Sequence, residues 1–110
     1  MPKVDLDIEE VVLVFKLFGD RTRLAIMKLL ETKQCCVCEL TEAFDMSQPA
    51  ISQHLRKLRD AKLVAEERRG QWVYYEINKQ SDCYPLVQEV LDYIPAQTLL
   101  LEKMENARGC

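Results

Sequence analysis

Apolar residues recur three and four positions apart in the first third of the chain, which predicts two helices. The first helix starts near Ile8 and ends at Phe18, because Gly19 interrupts the pattern. Asp20 is suited to cap the second helix, which a loop at residues 31–34 follows. The apolar positions of the second helix form a broad face suited to burial: Leu24, Ile26, Met27, Leu29 and Leu30.

Two further short helices, joined by a tight turn, are predicted at about residues 36–61. The first spans about Cys36 to Phe44, and Ser47 can cap the second. Pro49 is tolerated in the first turn of the second helix, because the N–H that proline lacks has no intrahelical partner there. The inner stripe of this helix is Ile51, Leu55 and Leu58. Together the two helices have the layout of a helix-turn-helix.

The pattern then changes to that of strands. The segments "LVAEERR" and "QWVYYEI" flank Gly70 and predict a β-hairpin, or wing, at about residues 63–77. Helical spacing returns at about residues 84–105, where Pro95 should kink the helix or split it in two. The chain is therefore predicted to be mainly α with a β-hairpin, a winged helix-turn-helix in the order α-α-α-α-β-β-α, forming a single domain over residues 1–110.

The composition agrees with one compact domain, since 48% of the 110 residues are apolar. The N-terminus is acidic and polar, and no apolar run is long enough to cross a bilayer, so we expect a cytoplasmic protein with no membrane partner. The sequence lacks a phosphate-cradling glycine loop, and its single histidine, His54, has no evident nucleophile partner. We therefore expect neither an enzyme nor an organic cofactor.

Basic charge is concentrated in one stretch, although the net charge of the chain is −3. Residues 47–70 contain six basic and three acidic residues, whereas the segments on either side are each net acidic. Such a local footprint favours binding to double-stranded DNA over a merely solvated helix face. The candidate contacts lie on the outer face of the second short helix and at the hairpin turn: Ser47, Gln48, Ser52, Gln53, His54, Arg56, Lys57, Arg68 and Arg69.

Three of the five cysteines, Cys35, Cys36 and Cys38, fall within four positions. In a reducing compartment, such a cluster favours a metal or redox site over a disulfide framework. The partial positive charge at the N-terminus of the third helix is expected to lower the pKa of thiols placed there, which favours the thiolate form that binds metals.

Four segments together resemble the ArsR/SmtB family of metal-sensing winged-helix repressors, most closely its arsenic-responsive ArsR members: "LFGDRTRLAIMKLL", "CVCELTEAF", "SQPAISQHLRKLRDAKLV" and "RRGQWVYYEI". The resemblance covers roughly residues 12–78, and "CVC" at the start of the third helix is its most specific element. It implies a homodimer that binds operator DNA, represses a metal-resistance operon and releases the DNA when trivalent arsenic or antimony binds.

The same resemblance assigns the metalloid to Cys36 and Cys38. Positions two apart point about 200° apart around a helix, so one ion joins both thiols only if the turn unwinds, which would couple metalloid binding to the DNA-reading helix. Some family members have a third cysteine where this chain has Thr41. Cys35 is the first candidate for the third ligand, since it lies about 60° from Cys38 around a helix. The alternatives are Cys83, Cys110 and a small cellular thiol.

The terminal helices, at about residues 6–18 and 84–105, carry more apolar side chains than one small domain buries, which suggests a two-fold dimer. Alternative functions also fit the sequence. The same fold could respond to cadmium or lead, or to thiol oxidation. A function of a different class is also possible for this sequence: the protein would sequester metalloid, or bind a protein partner, without binding DNA.

Overall fold

The computed structural model describes residues 5–106 and confirms the predicted winged helix-turn-helix fold. This part of the chain forms six helices and a three-stranded antiparallel sheet. In chain order the elements are α1 (Ile8–Phe18), α2 (Arg21–Thr32), β1 (Cys35–Cys36), α3 (Val37–Phe44), α4 (Gln48–Asp60), β2 (Val64–Arg69), β3 (Trp72–Ile77), α5 (Tyr84–Leu91) and α6 (Thr98–Glu105).

Capping side chains explain where two of the helices begin. Asp20 Oδ1 accepts a hydrogen bond from the backbone N–H of Arg23 at 3.0 Å, and Ser47 Oγ accepts one from the backbone N–H of Ala50 at 3.3 Å. Each bond satisfies a donor that the first turn of a helix leaves without an intrahelical partner. The caps predicted for α2 and α4 are therefore confirmed.

The order of elements differs from the prediction at one place, where an additional strand precedes α3. The two-residue strand β1 pairs antiparallel with β3, with Cys35 opposite Tyr75 and Cys36 opposite Tyr74. Cys36 has an extended backbone and caps α3, so this helix begins at Val37, one residue later than predicted. This shift changes the geometry of the cysteine cluster.

The C-terminal region forms two helices rather than one. Residues 92–97, which contain Pro95, separate α5 from α6, in agreement with the second of the two outcomes predicted for this proline. α6 packs against α3, and its Met104 is buried. No helix within residues 5–106 has both the length and the apolarity needed to span a lipid bilayer.

The sheet has the order β1-β3-β2, so the central strand β3 links the cysteine-bearing strand to the outer edge of the wing. β2 and β3 form the predicted hairpin, and Arg69 pairs with Trp72 across a two-residue turn. Gly70 has a φ of 62°, a left-handed conformation that glycine adopts without steric cost. The two-residue turn at the tip of the wing therefore directly follows Arg68 and Arg69.

A cluster of buried apolar side chains joins the helices to the sheet. Ile51, Leu55 and Leu58 of α4 are all 0% exposed, as their spacing predicted. Because they lie on one side of α4, the opposite side of this helix faces solvent. The core thereby fixes which residues α4 can present to a partner.

Candidate functional site

The outer face of α4 carries polar and basic side chains. Gln48, Gln53, Arg56 and Lys57 are exposed, and Ser52 is half-buried. Neither Arg56 nor Lys57 forms an ion pair with any residue between 5 and 106. Two cations without an acidic partner on an exposed helix are chemically suited to bind phosphate oxygens.

His54 occupies a different position from the other candidate contacts. Its Nδ1 lies 3.2 Å from Nη1 of Arg23 in α2, and the Arg23 Nε donates to the backbone carbonyl of Leu17 at 2.9 Å. Burial lowers the pKa of His54, so the neutral ring accepts the hydrogen bond through Nδ1. The ring thus helps to hold α4 against α2, and its DNA contact stays a prediction.

The two arginines of the wing have different surroundings. Both Arg68 and Arg69 are exposed, but Arg69 Nη2 lies 2.9 Å from Glu67 Oε1, and its guanidinium lies 4.5 Å from the ring centre of Tyr74. Arg68 has no ion-pair partner in the part of the chain that the structure describes. Arg68 is therefore the more available of the two for a phosphate.

Cys36 and Cys38 are close together without any unwinding of α3, because their Sγ atoms lie 3.6 Å apart. The expectation that the two side chains point to opposite sides of a helix is wrong. That argument requires both residues to be helical, whereas Cys36 is the extended N-cap residue, with φ −90° and ψ 165°. The turn into α3 brings the two sulfur atoms to the same side.

Glu39 organises the start of α3 and was missed by the sequence analysis. Its Oε1 accepts from the backbone N–H of Cys36 at 3.0 Å, and its Oε2 lies 3.0 Å from Lys33 Nζ. The signal was present in the sequence, because a glutamate three residues after an N-cap is the spacing of a capping box. The pattern was not recognised because the N-cap residue is a cysteine, whereas a capping box usually has serine or threonine there.

The predicted lowering of thiol pKa values at this helix start is wrong for Cys36. Burial raises the pKa of the Cys36 thiol, and the charge of Glu39 acts in the same direction. At neutral pH the thiol form therefore predominates, and binding of a metal ion would have to displace its proton.

Cys35 lies on the other side of the strand from Cys36, since consecutive strand residues point to opposite faces. It is 0% exposed, and its Sγ lies 3.7 Å from Met104 Sδ in the core. Burial raises its pKa to about 12. The helical geometry that made Cys35 the first candidate for the third ligand does not apply, because this residue is in β1.

The other two candidate ligands are Cys83 and Cys110. Cys83 is buried just before α5, and Cys110 lies outside the described residues. No group of three or more His, Cys, Asp or Glu residues is arranged to hold a metal ion within residues 5–106. What the structure brings together is the Sγ atoms of Cys36 and Cys38, at the start of the helix-turn-helix.

Comparison with known proteins identifies the family of this chain. The sequence pattern described as "Bacterial regulatory protein, arsR family" matches residues 20–66. The arsenic resistance transcriptional regulator ArsR1 of Pseudomonas putida is 45% identical over 69 residues, which are 62% of this chain and 54% of that protein. An arsenical resistance operon repressor of Escherichia coli is 46% identical, again over only 56% of its length. The aligned segments thus span little more than half of these two relatives.

A longer alignment joins the chain to an arsenical resistance operon repressor of Staphylococcus xylosus, which is 30% identical over 102 residues, covering 93% of this chain and 89% of that protein. These relatives are named as regulators or repressors of transcription, in agreement with the prediction that the chain is not an enzyme.

Solved structures agree with the same assignment. The homodimeric winged helix-turn-helix DNA-binding domain of Mb0332 from Mycobacterium bovis has a TM-score of 0.65 at 30% identity, covering 77% of this chain and 81% of that one. HlyU from Vibrio cholerae has a TM-score of 0.68 at 27% identity, covering 77% and 91%. The predicted resemblance is confirmed, and the chain belongs to the ArsR family of bacterial regulatory proteins.

Proposed function

We propose that this protein is a cytoplasmic transcriptional repressor that binds operator DNA as a homodimer and releases it when As(III) or Sb(III) binds Cys36 and Cys38 in the reduced protein. The observation that carries the DNA-binding part is the exposed face of α4, where Arg56 and Lys57 have no acidic partner within residues 5–106. The names of the arsenical-resistance relatives support the choice of ligand.

The arrangement of α4 suits docking into the major groove. Its N-terminal half presents Gln48, Ser52 and Gln53, whose short polar groups are suited to base edges. Its C-terminal half presents Arg56 and Lys57, which are suited to the phosphate backbone. The wing carries Arg68 near its tip. This side chain would contact the DNA backbone or the minor groove, beside the major groove that α4 occupies.

Replacing Arg56 by alanine is expected to weaken binding to every duplex by a similar factor and to reduce the salt slope of the affinity by about 1 per protomer, because a phosphate contact releases a counterion whatever the sequence. Fluorescence anisotropy at several salt concentrations measures both effects. The control is Lys79→Ala, which removes an exposed cation after β3. An unchanged salt slope in Arg56→Ala, or an equal loss in the control, would contradict the proposed docking.

The thiol pair has a geometry that suits a soft ion. With sulfur–metal bonds of about 2.3 Å, sulfur atoms 3.6 Å apart subtend roughly 100° at a bound atom. That angle is close to what a pyramidal site requires, and As(III) prefers thiolate ligands because it is soft. The third ligand would come from outside the pair, either from Cys110 or from a small cellular thiol.

The position of the pair would allow ligand binding to affect the DNA-binding elements. Cys36 caps α3, the first helix of the helix-turn-helix, and its backbone pairs with Tyr74 in the wing. A covalently bound arsenic atom would fix the relative positions of Cys36 and Cys38, and hence the start of α3 against β3. Release of DNA follows if this fixed arrangement differs in free energy from the one that DNA selects.

The homodimer is proposed to form through α1. Ile8, Val12 and Phe15 lie four and three positions apart, and they are 74%, 41% and 56% exposed. These three side chains form one apolar stripe on a charged helix, which is typical of a surface that a second subunit covers. A two-fold dimer would also present two copies of α4 to successive turns of the DNA.

Placing a charge in this stripe with Val12→Glu is expected to shift the protein from dimer to monomer, since an interface that buries an unpaired carboxylate is strongly penalised. Analytical ultracentrifugation measures the change in mass. Lys79→Glu, a charge reversal at an exposed position outside α1, is the control. A Val12→Glu protein that remains dimeric at micromolar concentration would place the interface elsewhere.

A further inference from the structure

Arg23 of α2 contacts two other helices. Its Nε donates to the backbone carbonyl of Leu17 in α1 at 2.9 Å, and its Nη1 lies 3.2 Å from Nδ1 of His54 in α4. The side chain is only 12% exposed, and Nη1 lies 3.9 Å from Oδ2 of Asp20, the N-cap residue of α2. Arg23 is therefore anchored at two points outside α4, which fixes the guanidinium group that His54 meets.

This contact determines which nitrogen of the His54 ring carries the hydrogen. A guanidinium group has only N–H donors and keeps its proton in proteins, so Nδ1 must accept and the neutral ring has its hydrogen on Nε2. Nε2 forms no hydrogen bond with the described residues. Among these residues, every buried side-chain nitrogen or oxygen atom has a partner, so Nε2 must reach the surface.

The accessible Nε2–H lies beside the basic part of α4. His54 and Lys57 are three residues apart, which places them about 60° apart around the helix. The ring therefore sits at the border between the buried stripe of α4 and its outer face. An N–H donor at this border is suited to a phosphate oxygen, as is the neighbouring ammonium group of Lys57.

We infer that Arg23 is a positioning residue for DNA binding, which holds the neutral His54 ring so that Nε2–H donates to a phosphate oxygen of the DNA backbone. This inference rests on the proposed function, because it requires α4 to be the helix that binds DNA. Protonation of Nδ1 removes the acceptor that Arg23 uses. In acid, the ring is therefore released from α2, and DNA binding weakens.

Three charged groups act on His54. Arg23 and Asp20 face it from α2 and its cap, and Lys57 lies on α4 itself. Burial lowers the pKa of His54; the charge of Asp20 opposes this lowering, whereas the charges of Arg23 and Lys57 add to it. A protonated ring would leave two cations in contact, and Arg23 cannot lose its charge. The ring or α4 then has to move.

The direction of the pH effect distinguishes this role from a simple charge contact. If cationic His54 bound a phosphate directly, DNA affinity would rise in acid. Because the neutral ring is required here, DNA binding expels the proton, and affinity falls as the pH drops through the pKa of His54. The fall is up to about tenfold per pH unit for each protomer. It is centred below pH 6.5, the ordinary pKa of histidine, since that of His54 is lowered.

The tautomer of His54 can be measured without DNA, because the chain contains one histidine. Long-range ¹H–¹⁵N correlation spectra of the full-length, reduced protein distinguish a ring nitrogen that carries hydrogen from one that does not. At pH 7.5 we expect an unprotonated Nδ1 and a protonated Nε2. Hydrogen on Nδ1, or a mixture of the two tautomers, would overturn the inference.

The DNA affinity is then measured by fluorescence anisotropy from pH 5.5 to 8.0 at fixed salt, on a labelled duplex from immediately upstream of the gene. The parent protein should lose affinity in acid. His54→Asn should not show this loss, because an amide oxygen accepts from Arg23 and does not titrate. Arg23→Ala should weaken binding at pH 7.5 by up to about tenfold, the value of one hydrogen bond to a charged group, and should also abolish the acid loss.

The outcomes separate this inference from the proposed function. If the affinity of the parent protein rises in acid, or if His54→Asn retains the acid loss, Arg23 does not act through the neutral ring, and the proposed repressor function stands. The His54→Asn profile decides the matter if Arg23→Ala does not fold by circular dichroism. Absence of DNA binding at every pH would overturn the proposed function and this inference together.

Discussion

Replacing Cys36 by serine is expected to weaken arsenite binding by more than about 100-fold, because loss of an outer-shell partner alone costs a metal site 10–100-fold and this change removes a ligand. A serine hydroxyl is a poor ligand for a soft ion. It is, however, a favoured N-cap residue, so α3 should remain in place. Isothermal titration calorimetry of the reduced protein with arsenite measures the loss, and DNA binding without arsenite should be unchanged.

The matched control is Cys83→Ala, which removes a buried thiol just before α5. Arsenite should bind this variant as it binds the parent protein. Retained arsenite affinity in Cys36→Ser would contradict the proposed site, and a large loss in the Cys83→Ala control would identify Cys83 as a ligand that the structure does not bring to the pair.

Truncating Leu55 to alanine is expected to lower the free energy of unfolding by about 2–5 kcal/mol, the range measured for leucine in a packed core. Leu55 is 0% exposed and lies in the middle of the inner stripe of α4. The cavity left behind would loosen this helix, so DNA affinity should fall together with stability. Urea unfolding at a fixed protein concentration, followed by circular dichroism, measures the change.

Gln53→Ala is the comparison for this experiment, because Gln53 is exposed two residues earlier on the same helix. Its effect on stability should lie within about 0.5 kcal/mol, as for most surface positions. A loss below about 1 kcal/mol for Leu55→Ala would mean that α4 is not anchored by its apolar stripe.

The elements set by local signals were predicted from the sequence. α1 ends at Phe18 because Gly19 follows it, and α4 begins after the cap Ser47, both as expected. The hairpin was predicted because Gly70 lies between two strand-like segments. The buried stripe of α4 was predicted from the spacing of its apolar residues. In each case, neighbouring residues alone decide the conformation, so periodicity and capping preferences were sufficient.

The geometry of the cysteine cluster was not predictable in the same way. Residues 35–36 are extended because they pair with β3, almost forty positions further along the chain. Two-residue strands have no periodicity of their own, so the prediction extended α3 back to Cys36. The error placed Cys35 beside the ligands, although β1 directs its thiol toward Met104. It also separated Cys36 from Cys38, although their sulfur atoms are 3.6 Å apart.

The orientation of the His54 side chain could not be predicted from the sequence either. Its position on α4 is correct, but a contact with Arg23, thirty-one residues earlier, determines which way the ring points. Arg23 was part of the segment that carried the family resemblance, yet nothing in its spacing relates it to His54. Long-range polar contacts of this kind depend on how α2 and α4 pack, which one sequence does not reveal.

We propose that arsenite controls DNA binding through the thiols of Cys36 and Cys38 in the reduced protein. The most direct test is fluorescence anisotropy of the reduced protein on a labelled duplex from immediately upstream of its gene, titrated in parallel with arsenite, cadmium and zinc. We expect tight binding without metal, and release by arsenite at a lower concentration than by either other ion. Tight binding that none of the three ions reverses would show that arsenite is not the inducer and would favour thiol oxidation as the signal.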